Sequence, residues 1–129
     1  MSEENVATIR GAYDAFNSGD PNGVLGILAP DAAWTEPGGG NSPSGTFTGP
    51  ESVGNEVLAV VPQNFSEFAA NAEDFKDDGD TVVVTGRFKG KSNSGVDLDA
   101  PFTHTYELSD GKVTSFNNEV GDNWTEAWS

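Results

Sequence analysis

The chain has 129 residues, and 21 Asp and Glu against 6 Lys and Arg give it a formal net charge of −15. Nucleic acids and anionic membranes are both bound through cationic surfaces, so this charge excludes both as partners. Without cysteine the chain has no disulfide, thiolate metal site or cysteine nucleophile, and with a single histidine we expect no metal and no cofactor. The length suits one domain over residues 1–129, with a real core.

The acidic residues are scattered along the chain, and lysine is scarce. We interpret this acidity as adaptation to high salt, as in halophilic proteins, because salt screens the mutual repulsion of the acids. A dedicated anion-repelling or cation-buffering function is the alternative. The first residues are acidic and lead into an amphipathic helix, which predicts a cytoplasmic location.

Three amphipathic helices are predicted in the first half of the chain. Apolar residues recur at helical spacing over residues 3–18, and an Asn-Ser-Gly stop follows. A second, short helix is predicted over residues 20–30, from an Asp-Pro start to Pro30. The third covers residues 50–61, and Pro62 closes it.

The rest of the chain is predicted to form strands. Residues 32–36 can form a short strand before the Gly- and Pro-rich segment 37–45, which we expect to be irregular and to act as a lid. Later strands are predicted over residues 65–76, 81–91, 101–108 and 112–120, with Asp-Gly turns between them. Early helices and late antiparallel strands indicate an α+β fold with the helices on one face of the sheet.

Strand alternation gives the single histidine a direction. Phe102, His104 and Tyr106 share one face of their strand, because side chains two residues apart point the same way. The same rule places Phe116 and Asn118 together on the last strand. Two polar groups therefore lie among apolar neighbours, and we expect His104 to line a pocket.

The order of these elements resembles the SnoaL-like and ketosteroid-isomerase-like branch of the nuclear-transport-factor-2-like superfamily. The resemblance covers essentially the whole chain, and its markers are YDAFNSGD (13–20), FTGPE (47–51), PFTH (101–104) and DGKV (110–113). It implies a cone, in which a strongly curved mixed sheet and three helices on its concave face enclose a mostly apolar cavity, the cystatin-like α+β barrel. It also implies a homodimer.

The resemblance implies roles for two residues. The isomerases carry their general base just before a proline on the first strand, the position of Glu36, two residues after Trp34. Their late-strand oxyanion donor corresponds to His104, and either a carboxylic acid or an imidazole can donate to a developing enolate. The isomerases' oxyanion tyrosine aligns with Ala12, and the acid of the polyketide cyclases aligns with Asn118, which disfavours cyclase chemistry.

These observations favour a cofactor-independent isomerase or lyase that transfers a proton on a small apolar carbonyl or hydroxy compound. Glu36 would be the base and His104 the donor. The candidate substrate-binding residues are Tyr13, Trp34, Arg87, Phe102, Tyr106, Phe116 and Asn118.

The alternatives remain open at this stage. Glu36 could be a solvated carboxylate, His104 a neutral core residue, and the aromatic residues plain core. Arg87 could point inward to an acid or outward to a surface ion pair. Trp124 and Trp128 could pack on a sheet face, on a dimer partner or over the cavity. A non-catalytic dimeric ligand-binding protein and a structural dimer module with a filled cavity are the competing functions.

Overall fold

Most of the helical residues precede most of the strand residues in the computed structural model, which describes residues 2–128. The helices are α1 (Ser2–Asn17), α2 (Pro21–Leu25), α3 (Pro50–Val53) with a π-helical turn after it (Gly54–Leu58), α4 (Val61–Asn64) and α5 (Trp124–Ala127). The strands are β1 (Leu28–Pro37), β2 (Ser44–Thr48), β3 (Phe65–Asp78), β4 (Thr81–Ser92), β5 (Asp97–Ser109) and β6 (Lys112–Val120).

The six strands form one mixed sheet in the order β2-β1-β6-β5-β4-β3. β1 and β6 pair in parallel, and every other neighbouring pair is antiparallel. Gly79 and Gly111 occupy the β3–β4 and β5–β6 turns at φ 76° and 78°, a backbone conformation that a Cβ disfavours. The predicted hairpins are therefore confirmed, and the parallel pairing separately places β1 beside β6.

The helices pack on the concave face of the curved sheet. α1 lies against β3 and α2, and α3 lies against β1 and β2. Ile9, Val53, Val82, Val84 and Val113 have no exposed surface and form the centre of the core. This α+β fold, with its curved mixed sheet and few helices, is the one predicted.

The predicted second and third helices are longer than the observed ones. α2 ends at Leu25, and Leu28 already belongs to β1. Pro30 lies within β1, where the pairing with β6 shifts register between Leu28 and Ala33, so its missing N–H breaks no regular ladder. The third helix ends its α-helical part at Val53 and continues as the π-helical turn.

The expectation that residues 37–45 are irregular throughout is wrong at both ends, and Pro37 still belongs to β1. Ser44 and Gly45 begin the edge strand β2, which pairs with β1 through partners such as Trp34 and Phe47. Pairing with β1 extends this strand back to Ser44 and Gly45, which have weak β propensity, from Thr46, Phe47 and Thr48, which have strong β propensity. β6 has the predicted bounds, and β3, β4 and β5 match the prediction closely but extend further at one or both ends.

Candidate functional site

A cavity of about 80 Å³ lies between the concave face of the sheet and the helices. Every helix except α3 contributes to its wall, together with the π-helical turn and every strand except β2. The wall is mostly apolar, and Glu36, His104 and Asn118 are its buried polar side chains. One water needs roughly 10–15 Å³ on this measure, so the space suits a small organic molecule.

The polar residues face the cavity because side chains alternate along the strands, as the sequence predicts. Residues of β5 alternate between buried and partly exposed, and His104 and Tyr106 are among the buried ones that line the cavity. His104 pairs with Asn118 of β6, and Tyr106 pairs with Phe116. The parallel neighbour β1 brings Trp34 and Glu36 to the same wall.

Glu36 is buried and held by two donors. Trp34 Nε1 donates to its Oε2 at 2.5 Å, and Asn118 Nδ2 donates to its Oε1 at 3.1 Å. Burial disfavours the charged form and raises the pKa of Glu36 to about 7, although both hydrogen bonds act in the opposite direction. A carboxyl group with this pKa exchanges its proton near neutral pH.

His104 is neutral in this environment. Burial lowers the pKa of His104 to about 3, and the neighbouring Asn118 side chain opposes this effect without forming a hydrogen bond of normal geometry to the ring. The ring stacks on Phe102 with centroids 3.9 Å apart. An apolar, aromatic surround thus keeps the imidazole uncharged.

Two tyrosines determine which ring nitrogen of His104 carries the proton. Tyr106 donates its hydroxyl proton to the Tyr13 oxygen at 2.8 Å, and that oxygen lies 2.6 Å from His104 Nδ1. If Tyr13 donates its own proton to Nδ1, both hydroxyl protons have acceptors, and Nε2 must carry the imidazole proton. Burial raises the pKa of Tyr13 and of Tyr106, so both remain protonated donors.

Three buried polar atoms in the cavity wall have no hydrogen-bond partner among the described residues. They are His104 Nε2, Asn118 Oδ1 and Trp128 Nε1. Buried polar atoms in native proteins are nearly always paired, with protein, water or ligand. Two N–H donors and one amide oxygen are therefore available to a bound molecule, beside the remaining lone pairs of Glu36.

The structure brings together most of the predicted site residues but not all of them. Tyr13, Trp34, Tyr106, Phe116 and Asn118 line the cavity with Glu36 and His104. Phe102 lies behind the wall, stacked on His104 and Tyr13.

Arg87 lies outside the cavity, on the outer surface of the sheet. Its Nε donates to Asp99 at 2.6 Å, and its Nη2 is 3.4 Å from Asp122. These carboxylates, Asp99 first, raise the pKa of Arg87. Of the two directions left open by the sequence, the outward one is observed, so Arg87 cannot contact a molecule in the cavity.

Two tryptophans that the sequence left unplaced complete the site. Trp124 and Trp128 close the cavity next to the Gly-rich segment, since Trp124 Nε1 donates to Gly38 O at 3.0 Å and Asn41 N donates to Trp128 O at 2.8 Å. Trp124 also packs on the sheet face against Phe88, so the cap over the cavity and the packing on the sheet are observed together, while a contact with a dimer partner stays a prediction. The only sequence signal was their position four residues apart, on one face of a helical turn.

Within residues 2–128, no group of three His, Asp or Glu side chains could hold a metal ion. Over the same residues, no helix is long and apolar enough to cross a membrane.

Comparison with known proteins places this chain in a family. Residues 9–116 match the family model described as a SnoaL-like domain. No curated protein matches the chain. The fold is similar to that of TerC co-crystallised with polyporic acid, at 29% identity, a TM-score of 0.83 and 92% coverage of both chains.

Two further solved structures are similar over nearly the whole chain. Bal32a from a soil-derived mobile gene cassette is 25% identical, with a TM-score of 0.89, and the match covers 99% of this chain and 98% of that one. A Xanthomonas campestris protein with a cystatin-like fold is 28% identical, with a TM-score of 0.79 and 96% coverage of both. The chain belongs to the SnoaL-like domain family, within the nuclear-transport-factor-2-like superfamily.

Proposed function

We propose that this protein binds a small apolar carbonyl or hydroxy compound in its cavity and transfers a proton on it without a cofactor, as an isomerase or lyase. The observation that carries the proposal is the buried carboxyl group of Glu36, which lines an apolar cavity together with the neutral His104. The pKa of Glu36 is raised to about 7 by burial. Burial supplies a base of suitable strength without a metal or a charged partner.

The proton moves in two steps. The Glu36 carboxylate takes a proton from the carbon next to the substrate carbonyl. The electron pair of that C–H bond forms a C=C bond to the carbonyl carbon, and the π electron pair of the carbonyl moves to its oxygen. His104 Nε2–H donates a hydrogen bond to this oxygen as charge develops on it. In an isomerase, protonated Glu36 then returns the proton to another carbon of the substrate. In a lyase, the enolate re-forms the carbonyl and expels a group from the carbon beyond the C=C bond, and Glu36 gives its proton to that leaving group.

Trp34 and Asn118 orient the base. Their hydrogen bonds occupy one lone pair on each oxygen of Glu36, and a carboxylate has about four such sites. The remaining lone pairs can accept the substrate proton. The co-crystallisation of TerC with polyporic acid adds support for a small organic ligand in a protein of this fold.

A second candidate is a non-catalytic ligand-binding protein, as a dimer. The observation that favours it is that both Glu36 oxygens already accept hydrogen bonds, which lower the pKa of Glu36 and weaken it as a base. In this function the unpaired polar atoms bind the ligand, and no proton is transferred.

Hydrogen–deuterium exchange distinguishes the two functions without knowledge of the natural substrate. Two probe ketones, cyclohexane-1,4-dione and 4-methylcyclohexanone, are incubated with the protein in D₂O, and the loss of the protons next to the carbonyl is followed by ¹H NMR. We expect exchange faster than in buffer, rising as the pH passes through about 7, because Glu36 becomes a carboxylate there. Glu36→Gln should slow it by about 100-fold or more.

The matched control is Glu107→Gln, which removes an exposed acid from β5. This variant should exchange as the unmodified protein does. Exchange at the buffer rate, combined with a change in tryptophan fluorescence on ketone binding, would establish the non-catalytic function instead. The fluorescence reports on the site because Trp34, Trp124 and Trp128 all line the cavity.

A further inference from the structure

The three tryptophans of the cavity differ in what their indole N–H groups bind. Trp34 donates to Glu36, and Trp124 donates to the carbonyl oxygen of Gly38. Trp128 is only 2% exposed, and its Nε1 has no partner. One indole N–H in the cavity wall is therefore free to donate.

Trp128 is fixed in place by its backbone and by its ring. Its backbone N–H donates to the backbone carbonyl of Trp124 at 3.3 Å, and its backbone carbonyl accepts from the backbone N–H of Asn41 at 2.8 Å. Its ring contacts Phe65 and Trp124, with centroids 4.9 Å and 5.5 Å away. The indole cannot turn its N–H to solvent without losing this packing. The packing therefore holds the unpaired donor in the cavity wall.

We propose that Trp128 is a ligand-binding residue, which donates its indole hydrogen bond to an oxygen of the molecule in the cavity. The inference rests on the proposed function, because it takes the cavity as the site where that molecule reacts. It assigns Trp128 a contact with ligand and no part in the proton transfer itself.

This second donor defines a class of ligand. Trp128 contacts Trp124, which contacts Phe88 at 4.9 Å, and Phe88 contacts His104 at 5.4 Å. Two rings therefore separate the Trp128 donor from the His104 donor along the wall. A ligand that pairs with both carries two oxygen acceptors at opposite ends of an apolar body, as in diketones and hydroxy ketones.

The charges in the cavity favour neutral oxygens over carboxylates. Glu36 lines the same space, His104 is neutral, and no Lys or Arg is among the described residues that line it. An anionic ligand would thus meet a like charge in an apolar surround without a cation to pair with. Carbonyl and hydroxyl oxygens accept from Trp128 and His104 without that penalty.

The test uses the matched probes cyclohexane-1,4-dione and 4-methylcyclohexanone, which share a ring and differ in the second oxygen. In a ¹H–¹⁵N spectrum the chain gives three indole signals, which Trp124→Phe and Trp128→Phe assign. We expect the dione to move the Trp128 signal downfield and the methylketone to leave it nearly unchanged. Trp128→Phe should weaken dione binding about three- to tenfold more than it weakens methylketone binding, as expected for one lost hydrogen bond.

The outcomes separate this inference from the proposed function. If the Trp128 signal does not shift on addition of the dione, or if Trp128→Phe weakens the binding of both ketones equally, the inference is overturned. Glu36-dependent exchange would still support the proposed function. If neither ketone binds or exchanges, both fail. The measurement on the unmodified protein decides the inference even where Trp128→Phe folds poorly.

Discussion

The polar side chains of the cavity form two hydrogen-bonded groups that fix their protonation. Tyr106 donates to Tyr13, which contacts His104 Nδ1. Trp34 and Asn118 donate to Glu36. Burial keeps the imidazole neutral and the phenols protonated, so each member can take only one role. The catalytic proposal depends on this order, because His104 can donate to substrate only from Nε2.

The protonation state of His104 can be measured directly, since it is the only histidine. We expect its ¹⁵N spectrum to show a neutral Nε2–H imidazole at every pH from 8 to 5, because the pKa of His104 is lowered to about 3. Tyr13→Phe removes the donor to Nδ1 and should lower the free energy of unfolding by about 1–3 kcal/mol, through an unpaired buried acceptor.

Tyr106→Phe is the matched control for that experiment. It removes a phenol hydroxyl from the same network but keeps the contact between Tyr13 and His104. The Nε2–H form should persist in this variant, whereas Tyr13→Phe should release a mixture of both tautomers. An Nδ1–H imidazole in the unmodified protein would contradict the assigned order of donors.

At the level of elements, the sequence predicts what depends on local pattern. The alternation along β5 was enough to predict that His104 points inward, and the Asp-Gly turns predicted where the hairpins lie. Elements that depend on distant partners were missed or misplaced: β2 exists because β1 pairs with it, and Pro30 fits in β1 only because of the register shift there. The cap by Trp128 likewise depends on contacts with the Gly-rich segment, about ninety residues earlier in the chain.

The Gly-rich segment offers a test of the cap. A Cβ at Gly40 would lie 2.8 Å from the carbonyl carbon and oxygen of Trp128, at a φ of 58°. We expect Gly40→Ala to lower the free energy of unfolding by about 1–3 kcal/mol and to displace the cap, because the clash is with backbone. Acrylamide quenching of tryptophan fluorescence should increase with it.

Gly111→Ala provides the control for backbone strain alone. Gly111 has a φ of 78°, and a Cβ there would meet no atom within 4 Å. It should cost about 1 kcal/mol in stability through its positive φ and leave the quenching unchanged. Equal quenching in both alanine variants would mean that Gly40 does not hold the cap.

The whole molecule carries a net charge of −15, because its 6 Lys and Arg residues are too few to pair with its 21 Asp and Glu residues. Lys76, Arg87, Lys89 and Lys91 each pair with an aspartate, but these pairs are exposed and weak. The remaining acids repel one another across the surface, and the Debye length falls from about 10 Å at 0.1 M salt to about 3 Å at 1 M. Salt should therefore stabilise the fold. The halophilic origin, which stays a prediction, requires the same dependence.

We expect the Tm to rise by about 5 °C or more between 0.05 M and 1 M KCl, at roughly 4 °C per kcal/mol for a chain of this size. A variant with Glu67→Gln, Glu73→Gln and Asp74→Asn removes three exposed acids from the edge strand β3 and should show a higher Tm at low salt and a shallower rise. KCl is preferred to sulfate because sulfate strengthens apolar burial in any protein. A Tm that does not change with KCl, or an equal slope in the variant, would show that charge repulsion is not what salt relieves.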